Sequence, residues 1–354
     1  IRTAGNINYA PIGAQWDTVF TTNAPRMVVI NGVDVQTNNH DAGRRHMASG
    51  RLGEGHPNIA ALAAGFHGPH LPIALLSFGG YEVTGGVVAT TREVDRARLA
   101  GIIYPDRVNP DSAASALYHS PNARGLFDLA RRKRAESRLA DVELPKIDAS
   151  MNTLLAARSG SDQLRRLEEL LPTLQGTGQT AQVELAIAAY RAGVGNAVNF
   201  ARGGFDTHSN HDASHRTAMT NLLDLANLIW ARVDAAGIAD RTVMLITSDF
   251  GRMGNGGAPG YNGNNGKDHW PVSSMIVISG IPGFQGNRVV GRTTEGHSII
   301  PLDPATLEPA ANTSQGVRIR PEHVHKNLRD LLGITGSEVD LRFPLNPEHD
   351  LALF

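Results

Sequence analysis

Cysteine is absent from this sequence of 354 residues. Its absence excludes disulfide bonds, thiolate metal sites and a cysteine nucleophile, and it is compatible with export to an oxidising compartment. Neither sign of charge is in excess, because 33 basic and 34 acidic side chains give a formal net charge of -1. No global attraction to nucleic acid or to an anionic membrane is therefore expected, and any such binding has to be local.

Long hydrophobic runs are also missing. No stretch approaches the ~20 apolar residues of a transmembrane helix, so no membrane span is predicted. The chain begins with Ile1-Arg2-Thr3, which is neither a start methionine nor a signal peptide, and we expect its front to be processed or incompletely recorded. Hydrophobic residues nevertheless make up 41% of the sequence, enough for one large α/β domain or two smaller ones.

Apolar β-branched runs alternate with helical patterns near the front of the chain. Residues 27–30 and 71–78 predict strands, and residues 46–52 and 57–65 predict helices between them. This β-α-β order predicts a parallel sheet with a right-handed crossover.

The middle third, residues 112–174, has leucine, alanine, arginine and glutamate at helical spacing and predicts a helical insertion. Its basic run, residues 131–134, is interpreted as a solvated helix face rather than a polyanion site. Later patterns predict helices at 182–193, 217–236 and 321–332, a fully buried strand at 242–247, and a strand at 274–279. His323 and His325, on the last helix, are predicted to lie at the surface.

Three later segments combine carboxylate and imidazole side chains. Asp206 and His208 precede a predicted helix, Asp249 ends a predicted strand, and Asp268-His269 follows a loop rich in glycine and asparagine. Such ligands suit borderline or hard divalent cations, and ligands gather outside the carboxyl ends of strands in open α/β sheets. Each segment alone is also explained by a helix cap or a turn. Their order along the chain favours a metal site.

This order resembles the DUF1501 family of the alkaline phosphatase and sulfatase superfamily. The matching segments are Gly204-Phe205-Asp206-Thr207-His208, Ser248-Asp249-Phe250-Gly251-Arg252, Asp268-His269 and the closing helix that begins at Pro321. The resemblance implies an alkaline-phosphatase-like three-layer α/β/α sandwich with a mostly parallel sheet. It would form a single domain over residues 1–354, with the helical insertion at about 112–174.

The resemblance also implies roles for the site residues. Asp206, His208 and His269 would form one metal site, with Asp249 in a second site and Asp268 close by. The divalent ion is left open among Zn, Mn, Ca and Mg. In a hydrolase, Arg44 or Arg252 would serve as an anion clamp.

Two departures from the family pattern bear on activity. Asn39 stands where relatives have a serine nucleophile, and an amide is not a nucleophile, so Thr37 is the alternative. His40, Asp41 and Arg44 are candidate anion or metal contacts, with ordinary loop hydrogen bonding as the alternative. The family's front strand, with its Gly-Gly-Xaa-Asp ligand, has no counterpart before residue 27 and is expected to be missing.

The sequence leaves three functions open. One is a periplasmic or extracellular metal-dependent hydrolase that acts on a small phosphate or sulfate ester or on a sulfated or phosphorylated polymer. Another is a catalytically inactive relative that serves as a structural, binding or surface-assembly protein, for which a homo-oligomer is suitable. The third is a metal-free carbohydrate-binding or surface-layer subunit. Metal content separates the third function from the other two.

Overall fold

The computed structural model describes residues 1–92, 96–110, 112–142, 144–159, 164, 166–167, 170, 178–253 and 260–354. Helix accounts for 39% and strand for 17% of the protein, which is therefore a mixed α/β protein with several sheets, some of them parallel. The chain divides into two compact units. Unit 1 comprises Ile1–Ile59 and Ala201–Phe354, and unit 2 comprises Ala60–Phe200.

Unit 1 is built on a four-stranded mixed sheet with the order β11-β3-β10-β7. Strand β10 runs antiparallel to both β3 and β7, whereas β11 runs parallel to β3. A front hairpin (β1-β2) and a short pair (β8-β9) complete its strands. The strands of unit 1 are β1 Arg2–Ala4, β2 Ile7–Tyr9, β3 Met27–Asp34, β7 Val243–Ile246, β8 Gly251–Arg252, β9 His269–Trp270, β10 Val272–Ser279 and β11 Arg288–Val290.

The helices of unit 1 complete its core. Val28 and Ile30 of β3 and Val277 of β10 are fully buried together with Val324 and Leu328 of a C-terminal helix, because the apolar faces of the sheet and the helix meet there. The α-helices of unit 1 are α1 Ala14–Asn23, α2 His40–Ser49, α8 His211–Ala235, α9 Pro321–Leu331 and α10 Glu338–Arg342.

Unit 2 contains a parallel three-stranded sheet with the order β5-β4-β6 and its own core. Leu76 of β4 packs with Leu99 and Leu185 of two helices in that core. The strands are β4 Leu75–Phe78, β5 Thr90–Arg92 and β6 Ala197–Phe200, and the helices are α3 Ile59–His67, α4 Arg96–Ile103, α5 Pro121–Ala140, α6 Pro145–Ser159 and α7 Gly178–Arg191.

Helices α5 and α6 fall in the stretch for which a helical insertion was predicted, and most of the predicted stretch after residue 159 lies outside the described residues. The extent of the insertion and the single-domain organisation therefore stay predictions.

The predicted pairing of the first two strands is wrong. Strands β3 and β4 lie in different sheets, since β3 pairs with β10 and β11 while β4 pairs with β5 and β6. In unit 1, β3 has one antiparallel neighbour, β10, and one parallel neighbour, β11, and both come from far along the chain. In unit 2 all the strand pairs are parallel. Strand β7 is half-buried rather than fully buried, since it lies at the edge of its sheet.

His323 and His325 are buried, contrary to the surface position predicted for them. Helix α9 packs against α2, and the His325 Nε2–H donates to the Met47 carbonyl at 2.9 Å. His46 of α2 is buried likewise, and its Nδ1–H donates to the Val35 carbonyl at 2.9 Å. His46 and His325 are therefore hydrogen-bond donors inside unit 1, and burial lowers the pKa of both.

Acid should destabilise the fold through His325. Burial lowers its pKa from 6.5 to about 4, so the unfolded chain binds this proton at a higher pH than the folded one. The free energy of unfolding should fall as the pH drops from 6.5 towards 4, by about 2 kcal/mol at pH 5 from this group. Urea unfolding at pH 7.5 and pH 5.0 measures the loss. His325→Gln keeps a donor for Met47 and should reduce the loss by that amount; an unchanged pH dependence would contradict this assignment.

Candidate metal centre

Three segments of unit 1 meet at one cluster of polar side chains. His40 is the first residue of α2, Asp206 and His208 lie in the loop before α8, and His269 begins β9. Helix α2 begins at His40 because Asn39 has extended backbone and its side-chain oxygen accepts the N–H groups of residues 41 and 42, each at 3.0 Å. The cap thus fixes where the His40 imidazole projects.

The Asp206 carboxylate lies at the centre of this cluster. Its Oδ1 atom is 3.4 Å from His40 Nε2, 3.0 Å from His208 Nε2 and 3.1 Å from His269 Nε2. His208 Nε2 and His269 Nε2 are themselves 3.0 Å apart. Among the described residues, His40, Asp206 and His269 form a group whose ligand atoms all lie within 4.8 Å of one another. His208 contacts Asp206 and His269 but is not a member of that group.

Each of the three imidazoles is oriented by a contact to its other nitrogen. Each Nδ1 faces an oxygen that only accepts, so the ring proton resides on Nδ1 and Nε2 is directed into the cluster. The acceptors are an Asp249 carboxylate oxygen for His40, Asp268 Oδ1 at 3.0 Å for His208, and the Asn38 carbonyl at 2.8 Å for His269. Histidines that bind metals are held by carboxylates and backbone carbonyls in the same way.

The spacing of these atoms fits a bound cation. Tetrahedral bonds of about 2.0 Å from zinc to nitrogen and oxygen place neighbouring ligand atoms about 3.3 Å apart. The distances from Asp206 Oδ1 to the three Nε2 atoms, 3.0–3.4 Å, and the 3.0 Å between the Nε2 atoms of His208 and His269 are close to that value. Without a cation, the facing Nε2 atoms of His208 and His269 cannot both be proton donors or both be acceptors without repulsion. His40 Nε2 is buried and lacks a hydrogen-bond partner within the part of the chain that the structure describes. These polar atoms are therefore arranged for a shared positive ligand.

Arg252 supplies the positive charge that the cluster has in this structure. Its side chain is 10% exposed, and its guanidinium donates to Asp206 Oδ1 and, at 3.0 Å, to the Lys267 carbonyl. The hydrogen bond from Arg252 lowers the pKa of Asp206 below its usual range. Asp206 is thus ionised and shared between a guanidinium and three imidazoles.

Asn262 holds the outer side of the cluster. Its amide donates to Asp268 Oδ1 at 3.1 Å and to the His208 carbonyl at 3.0 Å. The hydrogen bond from Asn262 to Asp268 lowers the pKa of Asp268, and the hydrogen bond from His208 lowers it further. The charged Asp268 is the form that accepts the His208 proton and orients its ring.

Close packing around Phe250 and Gly43 fixes the positions of the imidazole rings in the cluster. The buried ring of Phe250 lies against His40 and His269, with ring centroids 4.7 and 4.5 Å apart. Gly43 of helix α2 lies against the backbone of Asp249, which follows β7. An added Cβ at Gly43 would lie 2.5 Å from the Asp249 backbone oxygen. Only glycine allows His40 to come within reach of Asp249 without a backbone shift.

Gly43→Ala is expected to destabilise the protein by about 1–3 kcal/mol, because the methyl group would overpack against backbone. The same shift would move His40 away from the cluster and weaken metal binding. Gly53→Ala is the matched control, since no atom lies within 4 Å of its added Cβ. Urea unfolding and zinc titration of both variants measure the effect. A Gly43→Ala protein with the stability and the zinc affinity of the control would contradict the close-packing account.

The structure places the other residues singled out from the sequence outside the central position. Asn39 caps α2, and Thr37 Oγ1 accepts the backbone N–H of residue 39 at 3.1 Å. Arg44 is exposed and pairs with Asp41 at 3.8 Å. Asp249 contacts the outer nitrogen of His40 and serves there as a positioning residue. The metal and anion roles assigned to these side chains stay predictions.

Two contributions were not anticipated from the sequence. His40 was one of several loop contacts, yet it shares the centre with Asp206 and His269. Its position directly after a capping asparagine at a strand-to-helix turn was the available signal. Asn262 lies in a loop whose composition predicted turns alone, and nothing in the sequence distinguished it from the neighbouring asparagines.

Comparison with known proteins bears on the family. The family described as a protein of unknown function, DUF1501, matches residues 104–306, which is more than half of the chain. The matched range includes Asp206, His208 and His269, whereas His40 lies ahead of it. A comparison with curated proteins finds no match. The chain belongs to the DUF1501 family.

Proposed function

We propose that this protein binds one divalent metal ion through His40, His208, His269 and Asp206 and uses it to hydrolyse a phosphate or sulfate ester. The observation that carries the proposal is the convergence of three imidazole Nε2 atoms on one carboxylate oxygen, each ring being held from behind through Nδ1. Such rear contacts both fix the tautomer and increase the basicity of a ligand.

The ligand set supports zinc over the other candidate ions. Three nitrogens and one carboxylate suit zinc, whereas calcium and magnesium require mainly oxygen ligands. Manganese accepts such a set but binds it more weakly on the general affinity order of divalent metals.

A zinc ion at this position would supply a Lewis acid that polarises the ester and stabilises charge on the oxygens of the reacting group. Arg252 lies at the same carboxylate and offers a planar guanidinium to the anionic ester, a geometry suited to phosphate and sulfate oxygens. Asp268 and Asp249 hold the rings of His208 and His40 while the substrate binds. Water is the nucleophile in this proposal, since Asn39 and Thr37 are engaged in local hydrogen bonds.

The hydrogen bonds by which Asn39 caps α2 favour a second candidate function. Asn39 occupies the place of the family nucleophile and serves as the N-cap of α2. A relative without turnover that retains the metal for stability and binds or assembles with other molecules would keep such a cap. In that case zinc would raise the melting temperature without any ester hydrolysis.

The fold type, the location and the substrate class of the protein are part of the same proposal. The alkaline-phosphatase-like sandwich, a periplasmic or extracellular location and a substrate that is a small anionic ester or a sulfated or phosphorylated polymer are supported by the motif order quoted above. A homo-oligomer is compatible with the inactive alternative.

The test begins with protein freed of metal by a chelator and reloaded with one equivalent of zinc, manganese, calcium or magnesium. Hydrolysis of p-nitrophenyl phosphate and p-nitrophenyl sulfate is then followed, with Asp206→Asn as the control that removes the shared carboxylate charge. Zinc-dependent turnover that is lost in the variant supports the hydrolase. Stoichiometric zinc without turnover of either ester supports the inactive alternative, and the absence of zinc binding overturns both.

A further inference from the structure

Helix α5 of unit 2, Pro121–Ala140, is largely exposed. It has 20 residues and no buried one; Ala123, Arg124, Ala135 and Leu139 are half-buried, and the other residues are exposed. A helix of this length buries an apolar stripe in an ordinary globular protein, because packing supplies most of its stability. Among its described residues, α5 buries no such apolar stripe.

The helix presents its apolar side to solvent. Leu126, Leu129 and Ala130 lie at spacings of three and four residues and share one face, with Phe127 beside it. The exposed fractions of Leu126, Phe127 and Leu129 are 68%, 48% and 47%. The opposite face carries the half-buried Arg124, which forms a 2.7 Å ion pair with Asp106 of unit 2. Ala135 and Leu139 are half-buried on the same face as Arg124, so the helix is attached through the face opposite to Leu126.

Further large apolar side chains of unit 2 are exposed next to α5 in the sequence. They are Val108, Leu117 and Tyr118 before the helix, Leu144 after it, and Ile147 and Leu154 on α6, which packs against α5. Exposed apolar side chains that form a patch mark an interaction site. Those of α5 and α6 belong to two helices that contact each other.

The charge of the helix decides the kind of partner. Six of its side chains are basic and two are acidic, and the run Arg131-Arg132-Lys133-Arg134 is fully exposed. Lys133 follows Leu126 by seven residues and Arg134 follows Phe127 by seven, so basic groups continue the apolar face along the helix. A second copy of this chain would bring like charges together at this face, whereas an anionic bilayer matches both the charge and the apolar side chains.

We propose that helix α5 binds to the surface of an anionic membrane, lying in the plane of the bilayer with Leu126, Phe127 and Leu129 inserted and the residues of the basic run at the head groups. Lysine and arginine extend their aliphatic stems along apolar surface and keep their charge at the polar boundary. No described helix is both long and apolar enough to cross a bilayer, so the contact would be peripheral.

Co-sedimentation with sized vesicles tests this proposal. The full chain should bind vesicles that contain phosphatidylglycerol and not vesicles of phosphatidylcholine alone, and added salt should weaken the binding. Leu126→Ser combined with Phe127→Ser should reduce the affinity by about 100-fold, since both apolar contacts are lost. Leu341→Ser, at a residue of unit 1 that is 72% exposed, is the matched control and should bind as the wild type does.

Circular dichroism and light scattering accompany the vesicle experiment. An unchanged helix signal in the double variant shows that lost binding is not due to unfolding, and Arg131→Gln with Arg132→Gln should weaken binding to anionic vesicles as an independent variant. No binding to anionic vesicles, or equal binding by the Leu126/Phe127 double variant, would overturn the proposal. A dimer that this double variant converts to a monomer would also overturn it, because a second copy would then be the occupant.

Discussion

Replacing His269 by alanine should lower the affinity of the protein for zinc by more than about 100-fold. The Nε2 atom of His269 lies 3.1 Å from Asp206 Oδ1 and 3.0 Å from His208 Nε2, so the variant loses a ligand next to two others. Isothermal titration of the metal-free protein with zinc measures the change. The melting temperature should also lose the increase that zinc gives to the wild type, because a ligand that binds only the folded state stabilises it.

His70→Ala is the control for this variant, because His70 is exposed and belongs to unit 2. The metal-free His269→Ala protein should unfold at about the temperature of the metal-free wild type, since its ring is only half-buried. Equal zinc affinity in wild type and His269→Ala would show that the ion binds elsewhere.

Arg252→Met should separate substrate binding from metal binding. The guanidinium donates a hydrogen bond to the same Asp206 oxygen that the imidazoles face, so it competes with a cation for that oxygen. We expect the variant to bind zinc at least as tightly as the wild type. Ester hydrolysis should nevertheless fall by about 100-fold, because removing one preformed donor to the developing anion has an effect of this order.

Arg292→Met is the matched control, since Arg292 is exposed and pairs with Glu308 at 3.3 Å. Steady-state rates with p-nitrophenyl esters and zinc titrations on the same preparations give both quantities. Weaker zinc binding by Arg252→Met would mean that the guanidinium stabilises the ligand set, and an unchanged rate would remove Arg252 from substrate binding.

The positions of several helices and strands could be predicted from periodicity, because those patterns are local. The helix predicted at 46–52 is an exception, since α2 spans His40–Ser49. Residues 321–332 predicted a helix that spans Pro321–Leu331, and residues 274–279 predicted most of β10, Val272–Ser279. Sheet partners could not be predicted this way. The pairing of Val277 with Val28 joins residues that are far apart in sequence, and β-branched patterns alone do not choose between the strands available for such a pairing.

The burial of His323 and His325 could not be predicted for a similar reason. Both lie on one turn of α9, where a residue pattern indicates one apolar face. The turn is covered on more than one side, since His325 donates to Met47 of α2 and the Asn327 side chain donates to the Leu351 carbonyl at 2.7 Å. Which polar residues are buried depends on these tertiary partners.

Part of the candidate site could be predicted from the sequence because its motifs are short and polar. The family resemblance implied that Asp206, His208 and His269 form one site, and the structure brings these three together. The position of His40 in the cluster could not be predicted from the sequence. It depends on the close approach of α2 to Asp249, which Gly43 permits and which no local pattern encodes.

Diffraction from crystals of the zinc-loaded protein at the zinc absorption edge locates the bound ion directly. One anomalous peak is expected in unit 1, about 2.0–2.2 Å from the Nε2 atoms of His40, His208 and His269 and from an oxygen of Asp206. A peak at another set of residues, or no peak after loading with one equivalent of zinc, would contradict the metal centre and the hydrolase built on it.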